Sequence, residues 1–376
     1  MRVNMRTLHY SLAVAAMLLP ALAAPGQNTV SVTVTRDGAG TEQRAEQWKR
    51  MAVVEFSADF MREEPDYAAE LGNQALMGTV VEIVGRKGYW VKVKSPDPYT
   101  AWVTDMGLIP MDEKELEYYL EAPKYICTAM STRIFEEPST ESRIVSEFVL
   151  GDIVRIMYES KVHRSGRLKG VEEGRAVLRK HFAGVVLPSG KTGYVPAEDV
   201  AVFYRWAKEK RNGCNDEDSF RESLVRTALG FLGVPYMWGG TSAKNVDCSG
   251  LTRCVYFSNG ILLPRNASQQ ARTGKDVRIF NGNGDVDWNE LLPGDLLFWG
   301  KEATDSTAER ISHVGMYIGG GRFIHSAQVV RTSSLDPSAL DYYDRKPVRA
   351  RRIVGCVSDD GAFIFKNPNY FPQERE

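Results

Sequence analysis

Short apolar and polar residues alternate through the first half of the chain, and longer amphipathic periods take over in the second. Gly78-Thr-Val-Val-Glu-Ile83 is echoed by Gly151-Asp-Ile-Val-Arg-Ile156, and Thr100-Ala-Trp-Val103 by Thr192-Gly-Tyr-Val195. Val91-Lys-Val-Lys94 alternates strictly, and Gly88 and Gly190 supply turns. Short alternating strands with regular turn residues predict small β-barrels, here two blocks of roughly 60–80 residues, each large enough for its own core. A charged helix over 111–121 separates them. Beyond 216, Phe220, Leu224, Leu229 and Phe231 fall at helical spacing, which predicts an amphipathic helix over 216–232. A second helix begins at Cys248. Leu291-Leu-Pro-Gly-Asp-Leu-Leu-Phe-Trp299 reads as a turn into a buried strand, and 313–318, Gly319-Gly-Gly321 and 322–327 as a hairpin. Helices first and strands afterwards predict an α+β domain.

Residues 1–23 read as a signal peptide. Arg2 and Arg6 form its basic start, 12–19 its apolar middle and Ala21-Leu22-Ala23 the small-residue cleavage box, which implies export to a periplasmic or extracellular space. A short strand (30–35) and a polar helix (41–50) are expected in the 24–50 segment. No later run approaches the ~20 apolar residues of a spanning helix, so the mature chain is expected to lack a membrane span. Lys and Arg number 47 against 48 Asp and Glu, with no basic stripe, which argues against a nucleic-acid partner. Five cysteines cannot all pair within one chain, and Cys248 is the candidate free thiol. Cys254 reads as a small buried hydrophobe.

The chemistry centres on Val234-Pro-Tyr-Met-Trp-Gly-Gly240 and Asp247-Cys-Ser-Gly250, which place a thiol at a helix N-terminus. That position favours negative charge, and the thiolate is the nucleophilic form of cysteine. Lowering a thiol from ~8.5 to ~5 needs about 4–5 kcal/mol. A helix end supplies ~0.3–1 kcal/mol and ~2 at most, so an imidazolium must supply the rest. His313 is the expected base. A three-residue loop at 319–321 pairs Ile318 with Arg322, which sets His313 opposite Ala327 and His325 opposite Gly315. The two histidines then share a sheet face as diagonal neighbours. A four-residue loop would put them on opposite faces. His325 would fix the tautomer of His313, and the Cys248 N–H and the Tyr236 hydroxyl would face an oxyanion. A zinc site at Cys248, His313 and His325 lacks both a CxxC or HxxxH pair and a fourth ligand, so neither a metal nor another cofactor is expected.

Pro235-Tyr-x-Trp-Gly-Gly240, Asp247-Cys-Ser-Gly-Leu251, Leu263-Pro-Arg-x-Ala-Ser-x-Gln270, Leu292-Pro-Gly-Asp-Leu296, His313-Val-Gly-Met-Tyr-Ile-Gly319 and Phe323-Ile-His-Ser326 together resemble the NlpC-type cysteine peptidases of bacterial cell walls. The resemblance covers about 216–356 and implies a papain-like α+β fold. It also implies Cys248 as nucleophile, His313 as base, His325 as orienting residue and Tyr236 as oxyanion helper. The preceding blocks resemble the tandem SH3-like domains of one branch, the γ-D-glutamyl-L-diamino acid endopeptidases. That branch cuts peptidoglycan stem peptides with a free N-terminal L-Ala. By this resemblance Glu70, Tyr99 and Asp247 bind the substrate amine, and Ser249, Trp238 and Ser268 line the pocket. The implied order is a signal peptide (1–23), an N-terminal segment (24–50), SH3-like domains (51–110 and 122–202), a peptidase domain (214–358) and a tail (359–376). The basic 161–180 stretch departs from the pattern. A monomer is expected. An endopeptidase on intact wall, a non-catalytic wall-binding module, and an amidase or acyltransferase of the same superfamily remain open alternatives.

Overall fold

A computed structural model of the 376-residue chain describes residues 50–159, 175–302, 306–356 and 362–372. The expected signal peptide, the 24–49 segment, the 161–174 part of the insertion and the 359–361 and 373–376 parts of the tail lie outside the described residues.

The first sheet is antiparallel. Its strands are β1 (Met51–Val54), β2 (Asp59–Arg62), β3 (Leu71–Ala75), β4 (Val80–Lys87), β5 (Trp90–Lys94), β6 (Thr100–Thr104) and β7 (Leu108–Met111), in the order β3-β2-β6-β5-β4-β1-β7. On β5, Val91 and Val93 enter the core while Lys94 stays exposed, as strand alternation requires. Asp112 then caps α1 (Glu113–Glu121) through a reciprocal pair of bonds. Its carboxylate accepts the Glu115 N–H at 2.9 Å, and the Glu115 carboxylate accepts its own N–H at 2.8 Å.

The second sheet comprises β8 (Lys124–Cys127), β9 (Ser131–Phe135), β10 (Ile144–Val149), β11 (Ile153–Ile156), β12 (Leu178–Arg179), β13 (Phe182–Val186), β14 (Thr192–Pro196) and β15 (Val200–Val202). The order is β10-β9-β14-β13-β11-β8-β15, with β12 on β13. The echoed sequences therefore fall on β4 and β11, and on β6 and β14.

Two helices follow, α2 (Phe203–Gly213) and α3 (Glu217–Leu229), the second capped by Asp216. The sequence reading had missed α2. Its inward positions, Phe203, Trp206 and Ala207, have helical spacing but are diluted by six charged residues or amides. A small hairpin, β16 (Thr241–Ser242) and β17 (Asn245–Val246), leads into α4 (Cys248–Phe257), then α5 (Ala267–Gln270). The third sheet consists of β18 (Lys275–Val277), β19 (Leu296–Lys301), β20 (Arg310–Gly319), β21 (Arg322–Ala327), β22 (Val329–Ser334) and β23 (Arg349–Arg352), in the order β18-β23-β19-β20-β21-β22.

Every residue of α4 after Cys248 is buried. Leu251 and Val255 pack with Phe298, Val314, Met316 and Ile324 of the third sheet. Burial of each such side chain is worth about 1.5–3 kcal/mol, which anchors the helix that begins at the thiol. The β20–β21 hairpin pairs Met316 with Ile324 and Tyr317 with Phe323, and a bulge then sets Gly319 opposite Arg322. Continued backwards, this register puts Gly315 opposite His325, and a Cβ at Gly315 would lie 3.3 Å from that of His325. Within the expected tail, Phe363, Ile364, Asn367 and Tyr370 are buried. Ile364 and Tyr370 join Leu76, Ile126, Phe203 and Phe257 in one core, and the Asn369 amide donates to the Val80 carbonyl at 3.0 Å.

Candidate active site

Asp247 organises the start of α4. One carboxylate oxygen accepts the Gly250 N–H at 2.7 Å as the helix cap, and the other accepts the Gly239 N–H at 3.0 Å. Arg265 grips the same carboxylate, with its side chain only 2% exposed, and also donates to the Ser249 hydroxyl at 2.9 Å. Ser249 in turn donates to Asp247 at 3.2 Å. Cys248 is thus the first residue of a helix whose N-terminus is fixed on both sides. The backbone N–H groups of Val314, next to His313 on β20, and of Ser249 favour the charged form of its thiol.

His313 and His325 meet directly, Nε2 to Nδ1, at 2.8 Å. The far nitrogen of His325 lies 3.2 Å from the Ser333 hydroxyl. Aromatic rings enclose the pair: Trp299 lies 5.5 Å from His313 and Tyr343 5.1 Å from His325, centre to centre. His325 is fully buried.

Burial dominates the protonation of all three groups. It pushes the Cys248 thiol up to about 11, with the Asp247 charge adding to the effect and the Val314 and Ser249 N–H groups opposing it. It pulls His313 down to about 4, helped by Arg345, and His325 down to about 3, helped by His313 and Arg331. The sequence argument called for an imidazolium beside the thiol at rest. The buried site instead favours neutral thiol and neutral imidazole, so His313 is suited to take the proton as the thiol attacks, as a general base. Tyr236 is half-buried, and its hydroxyl is pushed up to about 12 by burial and then by the Cys248 and Asp247 charges.

The first sheet supplies a wall to this site. The Tyr99 hydroxyl donates to a carboxylate, and that carboxylate belongs to Glu63. Burial, then Glu63, holds the Tyr99 hydroxyl well above its ordinary value. Glu70 is exposed, and its backbone carbonyl accepts the Glu63 N–H at 3.0 Å. Gly72 lies beneath the pair, where a Cβ would stand 2.1 Å from the Glu63 carboxylate. Asp247 commits both oxygens to the helix cap, Gly239 and Arg265. Ser249 is buried between Asp247 and Arg265, whereas Trp238 and Ser268 are exposed.

Sequence reasoning missed Glu63, Arg265, Ser333 and Tyr343. Arg265 lay inside a motif already singled out. Ser333 follows from strand parity, since it pairs with Phe323 two residues before His325. Glu63 gave no signal, because Arg62-Glu-Glu-Pro65 reads as a solvated turn. Among the described residues, no group of three His, Cys, Asp or Glu side chains could hold a metal ion. All five cysteines are free thiols.

A thiol at a capped helix N-terminus, packed against a hairpin whose two strands present hydrogen-bonded imidazoles, is the arrangement of a cysteine-type peptidase. Comparison with known proteins narrows the class. Residues 233–352 match the NlpC/P60 family and residues 57–108 the bacterial SH3 domain. The chain is 30% identical over 301 residues to the gamma-D-glutamyl-L-lysine dipeptidyl-peptidase of Bacillus cereus, spanning 76% of each chain. It is 24% identical to the dipeptidyl-peptidase 6 of Lysinibacillus sphaericus, over 73% of this chain and 87% of that relative. The crystal structure of an NlpC/P60 family protein from Bacillus cereus has the same fold, with a TM-score of 0.58 at 22% identity over 81% of this chain and 99% of that one. This chain belongs to the NlpC/P60 family, and it joins an NlpC/P60 catalytic domain to a bacterial SH3 domain.

Proposed function

We propose that the chain is a cysteine peptidase that hydrolyses the bond between γ-D-Glu and the diamino acid of peptidoglycan stem peptides carrying a free N-terminal L-Ala. The observation that carries this reading is the pair of imidazoles 2.8 Å apart, one on β20 and one on β21, the strands packed against the helix that begins at Cys248. With Nε2 of His313 donating to His325, Nδ1 is the nitrogen left to accept the thiol proton. His325 then donates onward to Ser333, which fixes the tautomer of both rings.

The Cys248 sulfur bonds to the γ-carbonyl carbon as its proton passes to His313. The oxyanion faces the Cys248 N–H and the Tyr236 hydroxyl. The carbon–nitrogen bond breaks, and the leaving amine takes the proton from His313. Water then gives a proton to His313 and attacks the thioester. The carbon–sulfur bond breaks, the sulfur regains its proton, and the dipeptide L-Ala-D-Glu departs.

The free amine of L-Ala would sit against Glu63 and Tyr99, since a carboxylate beside a partly buried hydroxyl favours an ammonium and disfavours an acylated nitrogen. This reading assigns the amine acid to Glu63, while Asp247 acts through α4 and Arg265. The relatives named gamma-D-glutamyl-L-lysine dipeptidyl-peptidase support cleavage after γ-D-Glu. The second sheet would be a further SH3-like domain (122–202) beside the first (51–110), with a papain-like peptidase domain over 214–358. Export by the 1–23 leader would bring the enzyme to its substrate in the periplasm or outside the cell, as a monomer.

Mass spectrometry of products from L-Ala-γ-D-Glu-L-Lys and its N-acetylated twin tests the proposal. Release of L-Ala-D-Glu from the free-amine peptide is expected, with Cys248→Ala inactive yet folded. Turnover by Cys248→Ala, or equal cleavage of both peptides by the wild type, would overturn it.

A further inference from the structure

Five residues after Cys248, α4 sends Arg253 into the first sheet's territory. Its Nε lies 3.0 Å from Asp97 Oδ2, with side chains 7% and 0% exposed. Nε has no aligned hydrogen-bond partner, so the contact acts through charge. Asp97 belongs to the loop between β5 and β6. It also accepts the Asn73 amide at 3.1 Å and the Ser95 hydroxyl. Two residues further along the same loop stands Tyr99, bonded to Glu63. One end of this short relay is therefore the nucleophile's helix, and the other is the wall that carries the carboxylate and phenol.

Two further ties run parallel. Thr241 donates its N–H to the Gln74 side chain at 2.8 Å, and its hydroxyl accepts the Gln74 N–H at 3.0 Å and donates to Asn73 at 2.9 Å. Gly239 lies so close to β3 that a Cβ there would stand 2.4 Å from the Leu71 carbonyl oxygen. Its φ of 78° also favours glycine. Asn73 bonds both to Asp97 and to Thr241, which joins the charge pair to the backbone seam.

We propose that Asp97 and Arg253 are positioning residues for specificity. Their ion pair holds Glu63 and Tyr99 at a fixed distance from Cys248, and that span selects a peptide with a single unblocked residue before γ-D-Glu. A buried ion pair gains little stability over apolar residues of the same volume, so its use lies in defined geometry. A rigid span matters because a displacement of about 1 Å between binding and reacting groups costs up to ~100-fold in rate. The inference rests on the amine clamp proposed above and adds the device that sets its distance.

The test measures kcat and KM for L-Ala-γ-D-Glu-L-Lys and its N-acetylated twin with Asp97→Asn, Arg253→Met and Arg253→Lys. Asp97→Asn and Arg253→Met should lower the preference for the free amine by about tenfold, mainly through a higher KM for that peptide. Arg253→Lys, which keeps the charge, should retain most of the preference. Asn73→Ser leaves the ion pair in place but removes the bridge to Thr241, and it should shift the preference in the same direction. It also keeps the test decisive if the charge variants fail to fold. An unchanged preference in every folded variant would overturn the proposal and leave the pair a purely structural role. Wild-type protein that cleaves neither peptide, or cleaves both equally, would instead reject the amine clamp itself.

Discussion

Replacing Asp247 by Ala perturbs several interactions at once, and the structure lets their sizes be separated. The first loss is the helix cap on Gly250, worth about 1 kcal/mol in typical cases. The second is larger. Arg265, with 2% of its side chain exposed, loses its counter-ion, and breaking a buried pair from one side costs about 3–5 kcal/mol. The expected destabilisation is therefore about 4–6 kcal/mol, a large part of the ~5–15 kcal/mol that holds a typical domain together. Removing the stranded charge as well, in Asp247→Ala with Arg265→Met, should recover most of the larger loss. Urea denaturation followed by far-ultraviolet circular dichroism measures both. A single variant within 1 kcal/mol of wild type, or a double variant less stable than the single, would refute the assignment of Asp247 as the electrostatic anchor of α4. A second readout is chemical. The Asp247 charge helps hold the Cys248 thiol up, so where Asp247→Ala remains folded, iodoacetamide should label Cys248 faster at pH 8 than in wild type.

His325 should make the protein sensitive to acid. Folding pulls its ring from the ordinary 6.5 down to about 3, so between these values the unfolded chain binds the extra proton. The associated stability is whole above 6.5 and is lost as pH falls towards 3. The urea midpoint should fall between pH 7 and pH 5 in wild type and less steeply in His325→Gln; identical slopes would remove His325 from the linkage. Gly250→Ala would place a Cβ 1.9 Å from the Gly240 carbonyl oxygen, which itself accepts the Asp247 N–H. A melting temperature equal to wild type would contradict that close approach; the expected cost is about 1–3 kcal/mol, with reduced turnover because Cys248 is two residues away.

Some of this architecture was legible because it depends on parity and spacing. Three glycines between two alternating strands set His313 and His325 on one face, and the observed register keeps them there. Helices were expected over 216–232 and from Cys248 onward, and the structure caps them with Asp216 and Asp247. What stayed hidden depends on chain segments far apart in sequence. The carboxylate on Tyr99 is Glu63 rather than Glu70; both residues are exposed, and the 63–70 loop folds back with the Glu63 N–H on the Glu70 carbonyl. The pairing of Arg253 with Asp97 joins two domains and leaves no local trace. The helix-end argument contained no burial, which is the largest influence on Cys248 and His313, pushing the thiol up and the imidazole down.

Ile364 and Tyr370 complete a core whose other members include Leu76 just past the end of β3, Ile126 of the second sheet, Phe203 of α2 and Phe257 of α4. A ribosome must therefore deliver residue 370 before that shared interior can seal. Until then α4, which begins at Cys248 and sends Phe257 into that interior, lacks part of its packing, so the order of synthesis itself delays assembly of the catalytic domain until residues beyond 352 have emerged.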